Sequence, residues 1–106
     1  MAIRYFKCHT LPFPSYDLAT APGTTNRLIL TWRNGPNGQA EPTATEINIT
    51  FDFDTTSTST VTTGGTATTY NATLGSSSGL GVKVRLRRVN TAGAGEWTPW
   101  VAGVVG

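Results

Sequence analysis

The sequence predicts an all-β protein: a single antiparallel β-sandwich of about seven strands, preceded by an extended N-terminal arm. Three observations carry the prediction. Short runs of residues alternate apolar and polar with a period of two, turn residues recur every ten or so positions, and nowhere do apolar residues recur at helical spacing over three turns. The composition agrees. Twenty of the 106 residues are threonine and only 13% are charged, and threonine, stiff at its β-carbon, suits a pleated, half-exposed surface.

The arm comprises residues 1–16 and the sandwich residues 17–106. Prolines at 12 and 14 forbid a helix there and favour an extended path, and Tyr5, Phe6, Phe13 and Tyr16 supply four of the seven Phe and Tyr residues. The first clear strand places Leu28, Leu30 and Trp32 on one side and Arg27, Ile29 and Thr31 on the other. Asn34-Gly35-Pro36-Asn37-Gly38 ends it. Ile47, Ile49, Phe51 and Phe53 then alternate with Glu46, Asn48, Thr50, Asp52 and Asp54. Thr55–Gly65 is Thr/Ser-rich and reads as either a weak edge strand or a mobile loop. Tyr70, Ala72 and Leu74 form a further strand, closed by Gly75-Ser76-Ser77-Ser78-Gly79.

Four of the eight cations fall within Val82–Val89. Strand geometry puts Val82, Val84 and Leu86 on one face and Lys83, Arg85 and Arg87 on the other, opposite carboxylates of Glu46, Asp52 and Asp54 if the two strands are neighbours. A turn at Gly93 and Gly95 leads to a last strand around Trp97–Val105. Trp97 and Trp100 are three positions apart, so a regular strand would send one inward and leave the other exposed or under the arm. The expected core is Leu28, Leu30, Trp32, Ile47, Ile49, Phe51, Tyr70, Leu74, Val84 and Leu86.

The stretch Val82–Trp97 (VKVRLRRVNTAGAGEW) resembles the sixth strand, turn and last strand of a fibronectin type III domain. Leu28-Ile29-Leu30-Thr31-Trp32 is similar to the second strand of that family, and Thr69-Tyr70-Asn71-Ala72-Thr73-Leu74 to its fifth. Two positions depart from the pattern. Val82 stands where the family usually has the tyrosine of its corner, and Arg88 replaces a small inward residue. Arg88 is therefore expected at a sheet end or bulge, or paired with a buried acceptor, because an unpaired buried guanidinium is prohibitive.

No enzymatic chemistry is legible. Cys8 is the single cysteine, which excludes an internal disulfide, and His9 beside it points to the other side of an extended chain. No set of residues would hold a metal or a cofactor. No signal peptide is apparent and no stretch is long enough to cross a membrane. A net charge of +2 does not by itself imply a polyanion, and a nucleic-acid site would need aromatics interleaved with the exposed cations, where the alternation places none.

The resemblance implies a binding or spacing module. The primary expectation is a virion protein, a capsid decoration or tail accessory subunit of a tailed bacteriophage, made in the host cytoplasm and binding neighbouring subunits or copies of itself. The alternative is an accessory carbohydrate-binding or spacer module of a secreted bacterial enzyme or adhesin. An engineered scaffold is disfavoured because Thr91–Gly95 lacks Tyr/Ser-rich diversification. The partner-binding residues are expected in the arm: Ile3, Arg4, Tyr5, Phe6, Lys7, Leu11, Phe13 and Tyr16. So many apolar groups are too many for a free tail in water.

Overall fold

A computed structural model of the chain describes residues 11–38 and 40–106. Those residues contain no helix and eight strands: β1 (Tyr16–Pro22), β2 (Arg27–Arg33), β3 (Ala44–Phe51), β4 (Asp54–Gly64), β5 (Thr69–Thr73), β6 (Gly81–Asn90), β7 (Gly93–Ala94) and β8 (Val101–Val104). All pairings are antiparallel. One sheet has the order β1-β2-β5, and the other runs β4-β3-β6 with β7 and β8 both on the far side of β6. The two short pieces β7 and β8 are thus one interrupted edge, which reconciles eight strands with the expected seven or so.

Alternation builds the core as read from the sequence. Leu28, Leu30 and Trp32 of β2 meet Ile47 and Ile49 of β3 and Val82, Val84 and Leu86 of β6, with Ala72 and Val105 completing the buried set. Phe51, Tyr70 and Leu74 pack against this cluster while remaining partly exposed. Each fully buried aliphatic side chain contributes about 1.5–3 kcal/mol of transfer free energy, so these residues are the main driving force for closing the sandwich.

Strand β3 ends earlier than the alternation suggests. Its pairing with β6 stops at Phe51↔Val82, the Asp52 amide donates to the Gly81 carbonyl at 3.0 Å, and the chain turns through Asp52 and Phe53 into β4. Phe53 therefore leaves the predicted strand face and stands 72% exposed. Thr55–Gly65, left open between strand and loop, is an edge strand up to Gly64.

The ends of the sandwich are tied by polar side chains. Asn26, with φ of 66°, accepts from the Ser77 and Ser78 amides at 3.2 and 3.0 Å, and its own amide donates to the Gly106 carbonyl at 2.7 Å. At the opposite end the Asn34 carboxamide oxygen accepts from Trp32 Nε1 at 3.2 Å and Ser15 Oγ at 3.1 Å, while its nitrogen donates to the Ala67 carbonyl at 3.1 Å. Trp32 can be buried because its N–H has that acceptor.

Candidate functional site

Lys83, Arg85 and Arg87 stand on the outward face of β6, two residues apart. That step is about 6.6 Å along a strand, room for one ring between successive cations. Two tryptophans occupy the gaps. Arg87 Cζ and Arg85 Cζ lie 4.3 and 4.4 Å from the Trp97 ring centre, and Arg85 Cζ and Lys83 Nζ lie 4.5 and 5.5 Å from that of Trp100. The order is Arg87, Trp97, Arg85, Trp100, Lys83, a ladder of cation–π contacts.

The segment carrying the rings is not a regular strand, so the expectation that Trp97 and Trp100 face opposite sides is overturned. Pro99 has no N–H to give a ladder, and Thr98 takes over the pairing. Its amide donates to the Leu86 carbonyl at 2.8 Å and its hydroxyl accepts from the Leu86 amide at 3.1 Å. Buried Thr98 thus pins the chain to the middle of β6, and both tryptophans fold onto the same row of cations, sharing Arg85. The proline between them was the signal that alternation would fail there.

Register decides which acidic groups meet the cations. Glu46 pairs with Arg87, Asn48 with Arg85 and Thr50 with Lys83. Arg87 Nε donates to Glu46 Oε1 at 2.7 Å and Arg85 Nε to Asn48 Oδ1 at 3.1 Å. Asp52 and Asp54 are not partners of the cation row, because β3 has already turned. The Asp54 carboxylate instead accepts from the Thr56 hydroxyl at 2.7 Å and amide at 3.2 Å, and these bonds, with others from Ser57, hold its pKa below the ordinary value.

Aromatics are therefore interleaved with the basic residues, contrary to the reading of the sequence. The arrangement nevertheless offers no stacking platform for a base or a sugar, since each ring already lies against two cations of its own chain. What it does chemically is fix the 95–100 segment as a bulky, positively charged rim along one edge of the larger sheet.

Arg88, at the inward parity of β6, is 2% exposed. Its guanidinium donates to the Gly35 carbonyl at 2.8 Å, to Asn37 Oδ1 at 2.6 Å and to the Gly65 carbonyl at 3.4 Å. Of these neutral acceptors only Gly65 is buried, Gly35 being half-buried and Asn37 exposed, so the anticipated buried acceptor is met by the longest of the three bonds. Burial lowers the Arg88 pKa from the usual value. This residue anchors the loop 34–38, against which the N-terminal segment lies.

Of the arm residues singled out, Ile3, Arg4, Tyr5, Phe6 and Lys7 lie outside the described residues. Leu11, Phe13 and Tyr16 are 38%, 54% and 50% exposed, and Tyr16 opens β1. The backbone between them is held: the Phe13 amide donates to the Pro36 carbonyl at 2.9 Å, and Pro12 and Ser15 are buried. Two glycines make room for it. A β-carbon on Gly35 would come within 2.7 Å of the Pro14 carbonyl oxygen, and one on Gly95 would collide with the Pro12 carbonyl. Just beyond, β1 slips register between Tyr16 and Ala19, with Asp17 at φ 56°. The slip borders a cleft of about 350 Å³, walled by Ser15, Tyr16, Asp17 and Leu18 on one side and Thr98, Pro99 and Val101 on the other. Its lining is mostly apolar.

Among the described residues no group of three or more His, Cys, Asp or Glu side chains could hold a metal ion. No helix of those residues is long and apolar enough to cross a membrane.

Neither a protein-family model nor a curated protein matches the chain. Its backbone is similar to solved fibronectin type III structures. Domains FN1–FN3 of chicken CNTN1 superpose with a TM-score of 0.75 at 10% identity over 91% of this chain, which spans 33% of that one. The FN5 domain of Drosophila Lar gives 0.68 at 11% identity, covering 90% of this chain and 97% of that one. A myokine structure gives 0.69 at 12% identity, covering 87% and 95%. At these identities the likeness establishes a fibronectin type III-like fold.

Proposed function

We propose that this chain is a non-enzymatic protein-binding module, and that its setting is a virion, as a capsid decoration or tail accessory subunit docked on neighbouring subunits. One observation carries the binding reading. Leu11, Phe13 and Tyr16 present exposed apolar side chains from a backbone that is itself held in place, beside an apolar cleft at the β1 edge. Pre-positioned apolar anchors lose little entropy on binding and are the usual centres of protein interfaces. Arg4 and Lys7 would meet acidic groups of the partner. The fold supports the general role, because domains of this kind are typically interaction or spacer units, though fold alone does not name a partner. The neutral, Thr-rich exterior suits a protein displayed in many copies, and this supports the virion setting.

The test labels density-gradient-purified virus particles from the producing cells with an antibody to the domain. Wild-type protein is expected on the particles. The variant Leu11→Ser/Phe13→Ser/Tyr16→Ser, checked for an unchanged circular dichroism spectrum and melting temperature, is expected to be lost from them. Wild-type protein confined to the soluble or cell-surface fraction overturns the virion setting. A folded triple variant that stays on the particle overturns the assignment of these residues.

A further inference from the structure

Strand β4 is the longest strand described, 11 residues from Asp54 to Gly64, and it lies at the end of its sheet with β3 as its sheet neighbour among the described residues. Seven of its residues, Thr58–Gly64, hold an uninterrupted register with Ala44–Thr50. Edge strands of this length are ordinarily protected from adding another strand by lysines, prolines, inward charges or a covering segment. β4 contains no lysine or proline, and its one charge, Asp54, is its first residue. After Asp54 the sequence is Thr-Thr-Ser-Thr-Ser-Thr-Val-Thr-Thr-Gly, without charge, and residues 55–60 are all exposed.

We infer that this edge, unpaired beyond β3 among the described residues, is an interaction surface for a second copy of the chain, which pairs β4 to β4 antiparallel about a two-fold axis. Three features fit that occupant. The single charge sits at one end, so an antiparallel pair sets Asp54 of each copy opposite Gly64 of the other and keeps the two carboxylates apart. Apart from Val61, which meets Ser57, the side chains brought face to face are threonines and serines, which form favourable cross-strand pairs with their own kind. Finally, the exposed Phe53 just before β4 is carried to the far end of the partner strand, where Gly64 has open space: a β-carbon there meets nothing within 4 Å. A two-fold seam is self-complementary and closes at two copies. A single strand-to-strand seam buries less than the roughly 1,200 Å² of a standard interface, so the dimer is weak and concentration-dependent. The inference is independent of how the N-terminal segment binds.

Sedimentation equilibrium of the full chain from about 10 μM to about 1 mM tests it. The wild type is expected to shift from monomer to dimer. Ser59→Lys/Thr62→Lys and Ser59→Glu/Thr62→Glu, each charging both faces of the edge at exposed positions, are each expected to weaken association by about tenfold or more, and an equimolar mixture of the two to restore it. Phe53→Ser is expected to weaken it as well. A wild type that remains monomeric throughout overturns the inference, and so does a dimer indifferent to these charges. If the Glu variant associates more tightly with itself while the Lys variant does not, a cationic segment such as the one bearing Arg4 and Lys7 is the occupant, and the β4–β4 seam is wrong.

Discussion

Replacing Lys83, Arg85 and Arg87 together by glutamine separates two accounts of the outer face of β6. Were these ordinary solvated cations, the loss would be one ion pair, Arg87 with Glu46, worth about 0.2–1 kcal/mol at a surface. The ladder predicts more. Four cation–π contacts between 4.3 and 5.5 Å disappear. At about 0.5–1 kcal/mol each they contribute roughly 2–4 kcal/mol. The Arg85 bond to Asn48 goes as well, at about 1 kcal/mol, though glutamine recovers part of it. The expected loss is therefore about 3 kcal/mol, a large share of the stability of a domain this size. Urea denaturation at 25 °C followed by circular dichroism measures it, since tryptophan fluorescence will itself change when the rings are uncovered. Arg85→Lys/Arg87→Lys is the companion variant. It keeps the charge but loses the planar stack, so it should fall between wild type and the triple variant. A loss below about 1 kcal/mol in the triple glutamine variant would refute the ladder as a stabilising element.

Arg88→Met should cost about 2–4 kcal/mol, because the acceptors on Gly35, Asn37 and Gly65 lose their donor while the burial of a charge is relieved; thermal melts report the cost, and hydrogen exchange should speed up in residues 34–38. Asn26→Ala should lose about 2 kcal/mol, from two bonds to Ser77 and Ser78 and a left-handed φ that alanine resists, whereas Asn26→Gly should lose less in the same melts. For Asp54 the folded pKa is lowered, so the bonds from Thr56 and Ser57 are fully present above the ordinary carboxylate range and are lost as pH falls through the folded value. The Thr56 amide resonance followed on acidification should titrate below the usual aspartate range, and a midpoint at or above that range would contradict the hydrogen-bonded turn.

The parts of the fold legible in the sequence were those governed by one rule at a time. Period-two alternation located β2, β3 and β6 and their inward faces, because a half-buried strand has no other way to satisfy both solvent and core. It also puts Arg88 at an inward position, where a guanidinium needs a sheet end, a bulge or a buried acceptor. Alternation failed where a local interaction overrode it. Alternation puts Phe53 on a strand that ends two residues earlier, at Phe51, where the Asp52–Gly81 bond begins the turn. A regular strand across Thr98 and Pro99 would send Trp97 and Trp100 to opposite faces, and the chain is not regular there. Strand β1 is not legible in the sequence: Tyr16–Pro22 has a register slip and mostly exposed side chains, so it carries little periodic signal. Of the anticipated partner-binding residues, Leu11, Phe13 and Tyr16 can be placed, and their exposure follows from contacts made by the backbone between them, which no side-chain pattern encodes.

The two edges of the larger sheet are treated in opposite ways, and this asymmetry bears on where partners can bind. On the β7–β8 side the edge is interrupted at Gly95–Trp100, the Thr98 hydroxyl takes the place of a backbone acceptor, and the ladder sets two tryptophans and three cations along the rim. Farther along, Thr20 of β1 donates its hydroxyl to the Ala102 carbonyl at 2.8 Å, closing the two sheets against each other. A strand approaching there would meet a broken row of backbone groups and bulky charged side chains, which is how natural sheets block strand addition. On the β4 side the strand is uncharged after Asp54 and in unbroken register over Thr58–Gly64, and among the described residues nothing comparable protects it. The cations of β6, with the two tryptophans, thus close one edge of the sheet. Association then falls, on the two proposals made above, to the exposed residues of the N-terminal segment and to β4. If so, breaking the ladder should do more than destabilise. The triple glutamine variant, held at a temperature where it is still folded, should gain concentration-dependent self-association through the β7–β8 side that the Lys charges on β4 do not suppress. A variant that stays as monomeric as its β4-charged parent would show that the ladder stabilises the edge without guarding it.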